Sequence, residues 1–220
     1  WVLFVLRRIK MKFLKSFTKN EILLWSFSVF GISAAFIYFD RVNYLNLTAS
    51  LIGVTSIIIN AKGNPAGQGL MIIFSLIYGY ISYSFRYYGE MITYLCMTAP
   101  IAVAAVISWA KHPFGNSSEV EVSRLTRGKI LLLIFSSAAV TAVFYFILKA
   151  LGNANLLVST ISITTSFAAS FLTFFRSPYY ALAYSFNDIV LIILWSMASL
   201  ENAGYVPMIF CFVIGIGGVT

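Results

Sequence analysis

Charge is what this sequence has least of. Only 10% of its 220 residues are Asp, Glu, Lys or Arg, against about a quarter in ordinary globular chains. A soluble domain of this length could not bury a composition that is 60% hydrophobic with a mean hydropathy of +0.89, so the chain belongs to the membrane class. Histidine is nearly absent: His112 stands alone, which excludes a histidine-based metal cluster. The two cysteines, Cys96 and Cys211, both lie inside apolar runs, where they read as packing residues and not as a disulfide. No nucleophile elbow, phosphate loop or pair of convergent catalytic groups is present, so neither an enzyme nor a cofactor is expected. The longest polar stretch, KHPFGNSSEVEVSRLTRGK from Lys111 to Lys129, is too short for a soluble catalytic domain or an ATPase module.

Long apolar runs without period-two alternation take the place of charge, which favours helices over a barrel. A bilayer core needs roughly 20 apolar residues per helix. Eight segments are expected: Ile22–Phe39, Val42–Ala61, Pro65–Phe85, Met91–Ala110, Ile130–Leu148, Asn155–Phe175, Pro178–Ala198 and Tyr205–Thr220. With eight crossings and a cytoplasmic N-terminus, twelve basic residues fall inside and three (Arg41, Arg86 and Lys149) outside. That bias follows the positive-inside rule. The net charge of +8 therefore reads as loops facing anionic lipid headgroups, not as a nucleic-acid surface. Residues 1–21 form a basic cytoplasmic segment. Within it WVLFVLRRIK precedes a natural-looking start at Met11, so residues 1–10 are expected to be non-native or an upstream start. The last segment stops in mid-pattern at GIGGVT and is expected to continue beyond residue 220.

The segments repeat. Asn64-Pro65 opens the third and Ser177-Pro178 the seventh, each after a basic residue, Lys62 or Arg176. Cys96 and Cys211 fall at a similar offset. Residues 42–110 and 155–220 would then be two three-helix repeats, with the helix at 130–148 connecting them and 111–129 a cytoplasmic loop. Four crossings separate the partners, so the halves run parallel, with substrate expected between them.

Polar residues inside the segments are the candidate site. Asn187 and Asp188 sit near the centre of the seventh, where a carboxylate normally faces a wet cavity or a partner. Tyr184, Asp188 and Trp195 recur at helical spacing on one face. Aromatic rings plus one negative charge suit a flat cationic ring. Glu90 and Tyr94 are candidates on the fourth segment, Thr164 and Thr165 on the sixth. The alternative is that Asn187 and Asp188 only join helices.

The stretches NPAGQGLMIIFSLIYGYISYSFRYYGEMITYL, APIAVAAVISW and SPYYALAYSFNDIVLIILW resemble the nicotinamide riboside transporter family, the Pnu vitamin transporters. The matching points are Tyr88, Gly89, Glu90, Pro100, Trp109, Tyr184 and Asn187. The resemblance implies an all-α membrane protein with a seven-helix 3+1+3 parallel-repeat core similar to the SWEET sugar transporters. An extra N-terminal helix, here residues 22–39, precedes that core. It implies facilitated diffusion of nicotinamide riboside, a precursor for NAD biosynthesis, across the inner (plasma) membrane, with trapping by a cytoplasmic kinase. Many members carry a tryptophan pair where Ala183 and Tyr184 stand here, and Met-Gln where Ile101 and Ala102 stand. Related members carry thiamine or riboflavin, so a different vitamin stays open, as does a structural or regulatory membrane subunit. Self-association also stays open.

Overall fold

The computed structural model describes residues 17–39, 41–115, 117 and 119–217. The readings of residues 1–10 and of the chain after Gly217 lie outside these. Among the described residues eight helices follow in order: α1 Lys19–Phe39, α2 Tyr44–Ala61, α3 Pro65–Ser84, α4 Tyr88–Lys111, α5 Arg127–Ala150, α6 Leu156–Phe174, α7 Tyr180–Glu201 and α8 Val206–Gly217. Seven are long and apolar enough to cross a membrane; the eighth apolar stretch is shorter. No strand occurs among the described residues, only an isolated antiparallel bridge between Pro113 and Val120.

Burial is arranged for lipid. Large apolar side chains such as Phe27, Phe30, Phe135 and Phe146 point outward, while Ser50, Ser75, Ser162 and Thr173 are buried. With no water to satisfy a buried hydroxyl, several bond the carbonyl one turn back: Ser50 to Asn46 at 2.9 Å, Ser75 to Met71 at 2.7 Å and Thr173 to Ala169 at 2.9 Å. Small polar residues let the helices approach closely. Gly67 is the clearest case, since a Cβ there would lie 2.6 Å from the Asn60 backbone nitrogen. Helix α5 buries only Leu148 and packs chiefly on α6.

Turn chemistry sets the helix ends. Asn64 caps α3 by accepting from the Ala66 N–H at 2.9 Å, with Pro65 in the first turn, where no N–H is required. Thr126 caps α5. The residues closing α2 and α6 adopt left-handed backbone, Gly63 at φ 66° and Arg176 at φ 54°. Both turns are held by one strap. In the segment after α4, the Val120 N–H donates to the Gly63 carbonyl at 2.9 Å and the Ser123 N–H to the Arg176 carbonyl at 2.8 Å. Val120 is buried with Trp109, Leu172 and Tyr180, and the Tyr180 hydroxyl donates to the Asn60 carbonyl. The basic end of the bundle is therefore closed in this structure.

The sequence placed the start of the fourth segment at Met91; the helix begins at Tyr88. Glu90 accordingly lies inside the first turn and is fully buried. The cysteines are free, but Cys96 is exposed and Cys211 buried, so they do not occupy matching environments.

Candidate functional site

Helix α4 is interrupted where a site needs shaping. Thr93–Thr98 forms a π turn, closed by the Ala99 N–H on the Tyr94 carbonyl. Pro100 follows at once and has no N–H to give to the turn before it. The widened turn carries Tyr94, whose ring lies 4.3 Å from Tyr78 and 5.7 Å from Phe74. π turns of this kind are common at functional sites.

Tyr94 faces a cavity of about 40 Å³, room for a few water molecules. Its walls are Gly53, Ile57 and Asn60 of α2, Met71 and Phe74 of α3, Tyr180, Tyr184 and Asp188 of α7, and Phe212 and Gly215 of α8. No basic residue is among them. Asp188 is 6% exposed and forms neither a hydrogen bond nor an ion pair among the described residues. Its carboxyl reaches over the backbone of α8 at Gly215, where a Cβ would lie 2.3 Å from Oδ2. Across the cavity the Asn60 Oδ1 is buried without a donor, while its amide nitrogen donates to Ser56 Oγ at 3.3 Å. The Tyr184 hydroxyl is directed at Ser170 and Thr173 of α6.

Asn187, on the neighbouring face of α7, turns toward α6. Its Oδ1 accepts from Thr165 and Ser166, both at 2.8 Å. Two donors on the carbonyl fix the amide and leave its NH₂ without an acceptor among the described residues. Thr165→Val combined with Ser166→Ala should release that amide. Two lost hydrogen bonds at about 1 kcal/mol each predict a loss of about 2 kcal/mol of stability, read as a lowered melting temperature in detergent, with helical content unchanged.

The other candidates fall elsewhere. Thr164, one residue from Thr165, points to the connector and shares a 2.6 Å hydrogen bond with Thr141 of α5. Trp195 is fully buried toward the end opposite the basic loop, where Tyr78, Tyr87 and Tyr205 surround it with centroids 5.2–5.6 Å away. Its Nε1–H donates to the Tyr78 hydroxyl, and that hydroxyl lies 3.5 Å from Glu90 Oε2. The structure thus brings Tyr94, Tyr184 and Asp188 to one cavity, and joins Trp195 to Glu90 at another level. Sequence reasoning missed Asn60, Phe74 and Gly215. A glycine opposite a carboxylate and an amide near a helix end carry no local signal.

A family model described as nicotinamide mononucleotide transporter matches residues 43–218. The nicotinamide riboside transporter PnuC of Neisseria mucosa is 26% identical over 196 residues, covering 87% of this chain and 74% of that protein. A crystal structure of the vitamin B3 transporter PnuC shares the fold with a TM-score of 0.83 at 23% identity, over 96% of this chain and 91% of that one. With four-fifths of its length matched and its helices in the same arrangement, the chain belongs to the nicotinamide mononucleotide transporter family.

Proposed function

We propose that this chain carries nicotinamide riboside across the membrane by facilitated diffusion, alternating between two parallel three-helix halves. The observation that carries the reading is the cavity itself: tyrosine rings and one carboxylate, with no basic residue in the lining. Nicotinamide riboside presents a flat, singly positive ring and no phosphate. Its 5′-phosphate, the mononucleotide, would bring negative charge to Asp188 with no lysine or arginine to meet it. Tyr184 or Tyr94 would face the pyridinium, worth roughly 0.5–2 kcal/mol each when desolvated. The free amide hydrogens of Asn187 suit the carboxamide oxygen or a ribose hydroxyl. Thr165 acts through Asn187. A cavity of about 40 Å³ is smaller than a nucleoside, so binding requires the walls to part.

The 3+1+3 arrangement has support in the packing. Helix α2 meets α8 across the bundle as α6 meets α4, and α2 packs on α3 as α6 does on α7. Several bonds link the halves at the end away from the basic loop, among them Asn46 Nδ2 to the Gly204 carbonyl at 3.1 Å, the Ala154 N–H to the Arg86 carbonyl at 3.2 Å and the Tyr87 hydroxyl to the Leu194 carbonyl at 3.0 Å. Helix α5 is the connector and α1 an addition packed on α2 and α8. The charge bias orients the basic loop to the cytoplasm of an inner membrane. There a kinase would trap the product, because the added phosphate finds no cation in the pore.

Calorimetry on the purified protein tests this. Binding of nicotinamide riboside is expected, with none of its 5′-phosphate or riboflavin. Thiamine is also a cationic aromatic and is the competitor to include. Thiamine binding alone would keep the cavity and change the substrate. Silence toward all of them would return Asn187 and Asp188 to helix packing.

A further inference from the structure

We infer that Glu90 and the aromatic cluster around Trp195 form a second, outer subsite for the cationic ring, one level above the Asp188 cavity. The inference rests on the transport reading above.

Glu90 is fully buried, and no lysine or arginine pairs with it among the described residues. One carboxyl oxygen, Oε1, has no hydrogen-bond partner, and Oε2 has only the long contact from Tyr78. Ser162 of α6 faces the same carboxyl but makes no hydrogen bond of good geometry to it, and the hydroxyl of Thr93 one turn along α4 has no partner. A buried carboxyl needs several donors or a cation to be stable in an apolar core. Here the donors are too few, and three polar groups are left incomplete in one region. The wall beside this carboxyl is aromatic: Tyr78, Trp195 and Tyr87 stand edge to face, with centroids 5.6 Å apart in each contact to Trp195. Rings at this spacing with an acid at their edge form the kind of cage that recognises organic cations.

The subsite is aligned with the inner one. On α7, Trp195 lies two turns above Asp188, about 10 Å along the axis. On the facing helices, Tyr78 touches both Glu90 and Tyr94, and Tyr94 lines the inner cavity. A cation leaving the outer cage would pass Tyr94 to reach Asp188 without crossing a wholly apolar stretch. Two moderate sites in series let a substrate bind at each and still leave, as ion pores do. In this structure the cage is collapsed on itself, its rings filling one another's faces.

The test is uptake into proteoliposomes of nicotinamide riboside and of its uncharged 1,4-dihydro form, by wild type, Glu90→Gln and Tyr78→Phe. Wild-type uptake of the riboside is the control for the transport reading; without it both readings fall. With it present, Glu90→Gln is expected to lower kcat/KM for the cation relative to the dihydro form about tenfold, mostly through KM. Tyr78→Phe, which keeps the acid and the ring, should change that ratio less than threefold. Equal losses for charged and uncharged substrates in Glu90→Gln, or no loss at all, would assign Glu90 to structure and overturn the subsite. A Glu90→Gln protein that does not fold shifts the decision to Glu90→Asp. Its shorter carboxyl should keep the wild-type preference for the cation, and loss of that preference would overturn the subsite as well.

Discussion

Asp188→Asn should weaken binding of nicotinamide riboside about 30- to 150-fold, and should leave affinity for the uncharged dihydro form within a factor of three. At an effective dielectric of about 20, a carboxylate 4 Å from a unit positive charge attracts it by about 4 kcal/mol. Desolvating the pair takes back part of this, leaving about 2–3 kcal/mol, which is the stated range in Kd. The geometry makes the substitution clean. Asp188 holds no protein partner, so the amide disturbs no existing bond, and the two side chains are nearly the same size. The competing interpretation, in which Asp188 merely joins helices, requires the opposite pattern: unchanged binding of both forms and a lowered melting temperature. Calorimetry with both substrate forms, beside thermal unfolding in detergent, separates the two.

The second large effect is expected at a residue with no side chain. Gly215→Ala places a Cβ 2.3 Å from Asp188 Oδ2, more than 1 Å inside ordinary contact. Either the carboxyl rotates away from the cavity or α8 moves outward. Rotation takes the proposed counter-charge away from the ring, so binding should then fall about as far as in Asp188→Asn, roughly 30-fold or more; movement of α8 alone would leave the carboxyl in place and cost less. Because both changes act on one atom pair, the double variant should be no worse than the weaker of the singles, by 1 kcal/mol or more of coupling. Additive losses in that cycle would mean that Gly215 acts on something other than Asp188. The fold should survive: α8 exposes Phe210 and Val213 on its outer side, which leaves it room to move by the ångström the new Cβ needs.

Hydropathy gave away the helices because a lipid-facing surface must be apolar nearly everywhere, and eight such runs are hard to miss. The end of α4 was harder. Glu90 looked like a boundary because an acid is expected at the headgroups, yet the helix carries it inside. On α7, Tyr184 and Asp188 were found together because four residues bring side chains back to one face. That same reasoning cannot choose between Thr164 and Thr165. Neighbours on a helix point about 100° apart, and only the packing partner decides which one meets Asn187 and which meets Thr141. The opposite walls, Asn60, Phe74 and Gly215, come from helices far away in the chain, and local pattern says nothing of them. Pro100 has no N–H for the turn before it, but nothing in the pattern said that a π turn would stand there and aim Tyr94.

The strap across the basic end is fastened through peptide groups. The Gly63 and Arg176 carbonyls accept from the N–H groups of Val120 and Ser123, and neither bond depends on the identity of a side chain. Such a fastening tolerates spelling changes and is sensitive to length. Most single substitutions between His112 and Ser123 would leave it in place, whereas deleting one residue between His112 and Val120 would draw both anchors one residue closer to α4 at once. The two halves would then lose their shared clasp without a single altered residue in either. For this protein, the shortest loop edit is a stronger handle on the clasp at the basic end than most point substitutions in the loop.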